Sequence, residues 1–326
     1  MASNPMISVV MPAYNARGYI ALAIESVLNQ TFQGFEFIII EDPSSDDTNE
    51  IIEGYREHDP RIQHILNNPN LGLTASLNKG IDISHGEFIA RMDADDISYP
   101  DRFEKQVSYL RQNPDVCLIA TSFERIDEEG NVISRNSLKP GKDGLKKMME
   151  ITNSVVHGSV MFRREKVLAL GKYREGIRYA EDYDLWLRIM ERYDIDILPD
   201  ILYKFRLTHQ SRSIAEGEQD KYYYDLVKRF AEERKNTGKD SYKDITASSK
   251  SVETSYSKKN EMYHLYRGLE LLSANKKKEA RRDFSECLKL NPTRILYWLL
   301  FAAALAPLPI LNIARWFWRK SPRDIH

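Results

Sequence analysis

Short apolar runs alternate with segments of helical periodicity through the first third of the chain. The apolar runs predict buried strands, and apolar residues three or four positions apart in the intervening segments predict amphipathic helices. The strands are predicted at 7–11, 35–40, 62–66 and 88–92, and the helices at 18–30, 48–58 and 71–83. Because strands and helices alternate, we expect an α/β fold with a mostly parallel sheet flanked by helices.

The middle of the chain continues with shorter apolar runs. They predict strands at 116–123, 131–134 and 159–162, the first two forming a hairpin, and helices opening near 179 and spanning 217–235. The helix that opens near 179 has acidic residues in its first turn, where the helix dipole favours them.

The pattern changes after residue 239. Residues 240–259 are rich in Ser, Thr and Lys, which predicts a linker. Two helical runs then follow within 262–292, separated by three lysines. This hairpin resembles a single tetratricopeptide unit, with Gly268, Ala280 and Phe284 at the expected places, although a plain helical hairpin is an equal alternative. One repeat cannot bury its own face, so we expect it to pack on another part of the chain.

The end of the chain contains an uncharged stretch of membrane-spanning length, residues 295–314. Pro307 and Pro309 would break a helix there, and both flanks are basic, which favours the cytoplasmic side for each flank. These features favour a re-entrant or interfacial anchor over a single span or a buried core helix.

Composition excludes several classes of protein. The formal net charge of −1 gives no reason to expect nucleic acid as a partner. Two distant cysteines, Cys117 and Cys287, form neither a disulfide framework nor a zinc motif, which is typical of a reducing compartment. The first residues carry no signal-peptide pattern, so we expect the folded part in the cytoplasm.

The most informative segment is Arg91–Asp96, where three carboxylates (Asp93, Asp95 and Asp96) follow an apolar run. Mg²⁺ and Mn²⁺ prefer oxygen ligands, commonly one or two carboxylates plus substrate phosphates, so this cluster predicts a metal–diphosphate site. A solvated acidic turn is the alternative. Two other polar segments, 12–15 and 41–42, also follow predicted strands. Because ligands bind beyond the carboxyl ends of parallel strands, we expect all three segments in one pocket.

A family resemblance covers about the first 215 residues. Its pieces, in order, are Met11–Asn15, Glu41–Asp46, Asn70–Leu73 with Asn78, Arg91–Asp96, His157–Ser159 with Met161–Arg163, Glu181–Arg188, and Arg206 with His209, Ser211 and Ser213. This series resembles the inverting glycosyltransferases of family 2, which have the GT-A nucleotide-diphospho-sugar transferase fold. One departure is that Glu41-Asp42-Pro43-Ser44 stands where the family usually has Asp-Asp-Gly-Ser, which leaves open which carboxylate meets the nucleobase.

The resemblance implies a role for each matching residue. Asp182 would be the general base, with a helix cap as its alternative role, and Asp96 would support the metal site. Metal ligands for Mn²⁺ or Mg²⁺ would be Asp93, Asp95 and His209. Substrate contacts would come from Pro12, Tyr14, Glu41, Asp42, Asn78, Arg91, Asp93, His157 and Arg206.

The resemblance, together with the composition and periodicity of the later segments, predicts a domain plan. It comprises a catalytic domain (1–215), a connecting helix (216–239), the linker (240–259), the helical hairpin (260–293) and a membrane-associating segment (294–326).

The expected activity is metal-dependent, inverting transfer of a sugar from a nucleotide-diphosphate donor, a UDP-sugar, to a glycan or polyprenyl-linked acceptor. The expected setting is surface polysaccharide assembly at the cytoplasmic face of the inner membrane. One alternative is a nucleotidyltransferase, which would need a Gly-rich basic loop where residues 12–18 offer one glycine and Arg17. The other alternative is a non-catalytic scaffold built on the helical hairpin.

Overall fold

The computed structural model of the chain describes residues 5–209, 217–244 and 256–305. Its strands are β1 (Ile7–Ala13), β2 (Phe35–Glu41), β3 (Ile62–Leu66), β4 (Phe88–Arg91), β5 (Ile97–Ser98), β6 (Val116–Ile126), β7 (Val132–Asn136), β8 (Met161–Arg163) and β9 (Asp194–Arg206). Its α-helices are α1 (Ile20–Leu28), α2 (Thr48–His58), α3 (Leu73–Ile83), α4 (Arg102–Gln112), α5 (Gly141–Ile151), α6 (Arg164–Ala169), α7 (Glu181–Met190), α8 (Gly217–Thr237), α9 (Tyr256–Ser273), α10 (Lys277–Leu290) and α11 (Ile295–Leu305). Short 3₁₀ turns lie at His157–Ser159 and Tyr242–Asp244.

The described strands form one mixed sheet in the order β3-β2-β1-β4-β8-β6-β9-β5, with β7 paired to β6. The pairs β1–β2, β1–β4 and β2–β3 are parallel. Strand β8 runs antiparallel to β4 and β6, and β5 runs antiparallel to β9. The predicted α/β sheet flanked by helices is confirmed, and its parallel part coincides with the strand–helix alternation of the first 92 residues.

Five of the described elements escaped the sequence pattern: the short β5 and α6, helix α5, and the longer α4 and β9. The buried stripe of α4 includes Arg102 and Gln106 beside Phe103, Val107 and Leu110, so polar residues interrupt its apolar periodicity. Strand β9 is exposed in its middle and buried unevenly on either side, so it lacks a clean alternation of apolar and polar residues.

The chain divides into two compact units. The first comprises Met1–Phe123, Asn136–Phe205 and Val227–Asp244. Its core includes the parallel strands, and every residue of β2 is buried, as expected for a strand covered on both faces. The second comprises Glu124–Arg135, Arg206–Leu226 and Ile245–His326. These units consist of separate chain segments, whereas the domains expected from the sequence are continuous. The expected boundaries stay predictions.

The second unit contains the expected helical hairpin, formed by α9 and α10. Its apolar cluster includes Phe284 together with Ile133 of the β6–β7 hairpin and Leu207. Gly268 allows the two helices to approach closely, because a Cβ there would lie 2.6 Å from the Phe284 ring. The hairpin therefore packs on another part of its own unit, while its likeness to a tetratricopeptide unit stays a prediction.

The structure covers only part of the linker and tail. Residues 245–255 and 306–326, including Pro307 and Pro309, lie outside the described residues. Among the helices of the described ranges, none has both the length and the apolar character that crossing a membrane requires.

Candidate active site

Three parallel strands end side by side and bring the polar segments together. Ala13 of β1 pairs with Glu41 of β2, and Val10 of β1 pairs with Arg91 of β4. The segments that begin at Pro12, Asp42 and Asp93 therefore lie at one carboxyl edge of the sheet. This placement was expected from the sequence, and the strand registers confirm it.

The loop after β1 is held by the loop after β2. Asn15 has a φ of 47°; its N–H donates to Ser44 Oγ at 3.1 Å, and its Oδ1 accepts the Ser45 N–H at 2.8 Å. Tyr14, next to it, is 54% exposed. An exposed tyrosine ring at this edge of the sheet is available to a planar ligand, and its predicted contact with the substrate stays a prediction.

Asp42 organises the loop after β3. Its Oδ1 accepts Asn67 Nδ2 and the Leu71 N–H, both at 2.9 Å, and its Oδ2 accepts the Gly72 N–H at 3.0 Å. The carboxylate therefore shapes the Asn70–Leu73 segment, which approaches the same edge of the sheet. Its predicted contact with the nucleobase stays a prediction.

Glu41 faces the opposite way, into the packing between β2, α2 and β3. It is fully buried, and its Oε2 meets Asn49 Nδ2 at 3.0 Å and His64 Nε2 at 2.9 Å. The other nitrogen of His64 lies 2.5 Å from Glu53, and this hydrogen bond is the main cause of the lowered pKa of Glu53. A direct contact between Glu41 and the donor would require this buried side chain to become accessible, so that role also stays a prediction.

The acidic loop after β4 rests on buried groups. Arg91 is buried and forms an ion pair with Asp93, whose side chain is 26% exposed. The Asp93 N–H donates to Tyr203 Oη at 3.3 Å, and Tyr203 is also hydrogen-bonded to Asp96. Asp95 is half-buried. This loop thus presents two partly accessible carboxylates, Asp93 and Asp95, on a rigid support.

Gly158 lies against this loop. A Cβ at this position would lie 1.9 Å from Tyr203 Oη and 2.7 Å from Asp93 Oδ2. The absence of a side chain at 158 is therefore what allows Tyr203 to reach the acidic loop.

Asp182 lies in the first turn of α7, in an environment that favours its protonated form. Burial and the neighbouring Glu181 raise its pKa to about 7, against the lowering effects of the Tyr183 N–H, Asn153 and Arg91. Asn153 Nδ2 donates to Asp182 Oδ2 at 2.8 Å. A carboxyl group with a pKa near neutrality is well matched to general base catalysis. Because Arg91 acts on Asp182 and is paired with Asp93, the expected base and the acidic loop share one neighbourhood.

His157, Asn78 and Tyr173 form a cluster beside α7, in which Asn78 and Tyr173 are buried and His157 is half-buried. His157 Nε2 lies 2.8 Å from Tyr173 Oη, and its ring meets Trp186 edge-on. Asn78 Nδ2 donates to the Tyr173 carbonyl at 2.9 Å, while its Oδ1 accepts the Tyr173 N–H at 3.1 Å. The amide of Asn78 thus clamps the backbone of Tyr173, and a substrate contact by Asn78 stays a prediction.

Arg206 and His209 belong to the second unit. Arg206 is buried, and its Nη1 donates to the carbonyls of Asp127 and Glu128 at 2.9 and 3.0 Å. His209 Nδ1 lies 2.9 Å from Glu128 Oε1, and its ring stacks on Tyr263 at 3.7 Å. These contacts anchor both side chains locally, and their expected roles toward the diphosphate and the metal stay predictions. Ser211 and Ser213 lie outside the described residues.

Sequence reasoning missed Tyr203 and Asn153. Tyr203 lies in β9, whose uneven pattern hid the strand, and Asn153 lies in a loop without a motif. Neither position carries a local signal, because each acts through a contact with a residue far away in the chain.

The carboxylates suit a divalent cation only as part of its shell. In the ranges that the structure describes, no three His, Cys, Asp or Glu side chains converge to hold a metal ion. Asp93 and Asp95 are two oxygen donors two residues apart, and Mg²⁺ commonly takes one or two carboxylates and completes its shell with phosphates and water. The pair therefore fits a cation that binds together with a diphosphate.

Comparison with known proteins identifies the family. The sequence profile described as "Glycosyl transferase family 2" matches residues 8–171, half of the chain. The chain is 38% identical over 226 residues to "Uncharacterized glycosyltransferase MJ1057" of Methanocaldococcus jannaschii, covering 68% of this chain and 77% of that protein. This chain belongs to glycosyl transferase family 2. The family 2 protein is therefore an enzyme, a glycosyltransferase, as the sequence predicted.

Another relative is named for O-antigen biosynthesis. "O-antigen biosynthesis glycosyltransferase WbnJ" of Escherichia coli is 34% identical over 213 residues, covering 63% of this chain and 81% of that protein. Homologues of this enzyme thus take part in polysaccharide biosynthesis.

Two solved structures share the fold of the family 2 enzyme. Staphylococcus aureus TarS 1–349 in complex with UDP-GlcNAc has a TM-score of 0.57 at 17% identity, covering 91% of this chain and 86% of that chain. Mannosyltransferase PcManGT from Pyrobaculum calidifontis, in complex with GDP-Man and Mn²⁺, has a TM-score of 0.54 at 17% identity, covering 99% of this chain and 83% of that chain. At this identity the likeness shows the GT-A fold alone.

Proposed function

We propose that this enzyme transfers a sugar, with inversion, from a nucleotide-diphosphate donor to a hydroxyl group of a glycan or lipid-linked acceptor. The observation that carries the proposal is that Asp182 and the partly exposed Asp93 share a neighbour, Arg91, which forms an ion pair with Asp93 and acts electrostatically on Asp182. The pKa of Asp182 is raised to about 7. A single displacement needs a base that takes the proton of the acceptor and a site that holds the leaving diphosphate. A carboxyl group whose pKa is near 7, close to the acidic loop, meets both needs.

The chemistry is one in-line step. The acceptor oxygen forms a bond to the anomeric carbon while the bond from that carbon to the donor phosphate oxygen breaks, and the nucleoside diphosphate leaves. Asp182 accepts the proton of the acceptor hydroxyl as the new bond forms. General base assistance of this kind is worth about 10²–10⁴-fold in rate.

The donor would bind at the edge of the sheet where β1, β2 and β4 end. Tyr14 would lie along the nucleobase, Asp42 and the loop that it shapes would contact the base or ribose, and Pro12 would border the base. Asp93 and Asp95 would hold Mn²⁺ or Mg²⁺, and the cation would neutralise the charge that develops on the diphosphate. Arg91, Asn78 and His157 complete the proposed set of substrate contacts.

The nucleotide is proposed to be UDP. TarS binds UDP-GlcNAc and PcManGT binds GDP-Man on the same fold, so both nucleobases are compatible with it. The polysaccharide homologues support surface polysaccharide assembly as the biological setting.

The test is a donor screen with purified full-length protein. Binding and slow hydrolysis would be measured for UDP-, GDP- and dTDP-sugars with Mn²⁺, with Mg²⁺ and with EDTA. We expect one nucleotide class to bind in a metal-dependent way, with the binding lost in Asp95→Ala and kept in Asp182→Asn, which should lose turnover instead. Glu57→Gln, an exposed carboxyl on α2, serves as the matched control. Metal-independent binding, or full turnover in Asp182→Asn, would contradict the mechanism.

We further propose that the C-terminal region associates with the cytoplasmic face of a membrane as an interfacial or re-entrant anchor. The outward side of α11 is apolar and exposed: Ile295 by 73%, Trp298 by 55%, Leu299 by 62% and Leu305 by 57%. These residues recur at helical spacing, and basic residues precede the helix. A bilayer interface with anionic lipids suits such a face.

Vesicle flotation tests this association. Full-length protein would be mixed with phosphatidylcholine vesicles or with vesicles that also contain phosphatidylglycerol. We expect flotation with the anionic vesicles, reduced by Trp298→Ser with Leu299→Ser and unaffected by Ile151→Ser, which removes an exposed apolar residue of the first unit. Equal flotation of the double variant and the wild type would count against α11 as the contacting face.

A further inference from the structure

The loop that follows α5 holds the carboxylate of Asp182. Asn153 Nδ2 donates to Asp182 Oδ2 at 2.8 Å, and Asn153 Oδ1 accepts the Val155 N–H at 3.2 Å. The backbone N–H of Val155 can only donate, so it fixes which end of the Asn153 amide carries the oxygen. The NH₂ group must therefore face Asp182, where it donates a hydrogen bond to the carboxylate. The opposite orientation of the amide would place its NH₂ group against the Val155 N–H, two donors facing each other.

A second connection fixes the same helix end. Tyr183, the residue after Asp182, donates its hydroxyl to the Met149 carbonyl of α5 at 2.5 Å, and its N–H donates to Asp182 Oδ1 at 2.7 Å. One Asp182 oxygen is thus held by its own helix and the other by Asn153. The start of α7 is tied to α5 and its following loop at two points.

The other groups around Asp182 act in opposite directions. Glu181 of the same helix disfavours the ionised form, as does burial, while Arg91 of β4 favours it. Tyr173, in the segment after α6, also lies within electrostatic reach. Asn153, in the loop after α5, adds an uncharged hydrogen-bond donor. Because a hydrogen bond donated to the charged carboxylate stabilises the charged form, Asn153 favours ionised Asp182.

We propose that Asn153 is a positioning residue for the catalytic base: its amide aims the Asp182 carboxylate and keeps it ionised at the pH at which the enzyme works. This inference rests on the proposed role of Asp182 as the base. Asn153 itself transfers no proton and contacts no reacting atom in the proposed step.

Two substitutions separate charge from shape. Asn153→Ala removes the donor and should raise the pH at which Asp182 titrates by about 0.5–1 unit, the equivalent of one hydrogen bond. Asn153→Asp keeps the shape and the acceptor for Val155 but faces one carboxylate with another, so the shift should be larger. Asn29→Ala, an exposed asparagine after α1, is the matched control and should cause no shift.

The titration would be followed by carbon NMR of aspartate carboxyl groups in the full-length protein, with the Asp182 signal assigned from Asp182→Asn. This readout needs no substrate. The second readout is the pH dependence of kcat for hydrolysis of the nucleotide sugar chosen by the donor screen. Its acid limb should move upward with the titration, while the rate above the limb and the donor KM stay near wild type.

The outcomes distinguish the two claims. An unmoved Asp182 titration in both folded variants overturns the proposal, as does a rate loss that is equal at every pH, because that pattern belongs to a structural role. A third outcome is a shifted Asp182 titration with an unshifted rate profile and an active Asp182→Asn. It would show that Asn153 contacts Asp182 but that Asp182 is not the base, and the proposal would then fail because its premise is wrong.

Discussion

Gly158→Ala should damage the acidic loop without any direct change to a carboxylate. The new Cβ would lie 1.9 Å from Tyr203 Oη and 2.7 Å from Asp93 Oδ2. Because contacts below 3.0 Å essentially never occur for a Cβ, Tyr203 or Gly158 must move by about 1 Å. Tyr203 cannot swing away freely, since it is fully buried and hydrogen-bonded to the acidic loop.

The expected size of the effect follows from overpacking. Inserting a methyl group into a packed interior costs about 1–3 kcal/mol, which lowers the Tm by about 1–5 °C for a chain of this size. Donor affinity in the presence of Mn²⁺ should fall as well, because Asp93 is displaced. The backbone of Gly158 does not have a positive φ, so alanine is tolerated conformationally and the effect isolates the collision.

Differential scanning fluorimetry and Mn²⁺-dependent donor binding would measure both effects. Gly54→Ala is the control, because its Cβ meets nothing within 4 Å in helix α2, and alanine there should stabilise slightly. Tyr203→Phe in the Gly158→Ala background should restore only part of the loss, since the ring carbon Cζ would still lie 2.6 Å from the Cβ. Wild-type Tm and wild-type donor affinity in Gly158→Ala would refute the reasoning.

Three further predictions concern other parts of the molecule. Because the base must be ionised and its pKa is raised to about 7, kcat should fall about tenfold per pH unit below 7 and level off above it; a flat kcat between pH 5 and 8 would exclude Asp182 as the base. Asn78→Ala removes the side-chain partner of both the Tyr173 N–H and the Tyr173 carbonyl and should lower the free energy of unfolding by about 1–3 kcal/mol. Urea denaturation would measure the loss, with Asn78→Asp as a variant that keeps the acceptor for the Tyr173 N–H. Gly268→Ala should displace Phe284 and destabilise α9 and α10 by about 1–3 kcal/mol. Hydrogen exchange should become faster in these two helices and stay unchanged in β1, and unchanged exchange in the helices would show that they have room to adjust.

The first four strands were predictable because their pattern is local. The second strand is apolar along nearly its whole length, which indicates a strand covered on both faces, and helical periodicity separates it from its neighbours. The ends of parallel strands share one edge by geometry, so the positions of Asp42 and Asp93 at one edge of the sheet followed before any contact was known.

The functions of the individual acids were not predictable in the same way. Glu41 and Asp42 are adjacent and look equivalent in sequence, yet one is buried against His64 and the other shapes a loop at the edge of the sheet. Neighbouring residues at a strand end point to opposite faces, and only the packing on each face decides which groups each of these two buried side chains meets.

By itself, the sequence determined the fold class, the family and the edge of the sheet at which the site forms, because these depend on periodicity and on residues close together in the chain. Only the tertiary structure decided the environment of each group. Asn153 meets Asp182 across 29 residues and Tyr203 meets Asp93 across 110, and nothing in the local pattern specifies such a pair. The physical reason is that protonation and orientation depend on burial and on the groups within hydrogen-bond distance, and the folded chain alone brings those groups together.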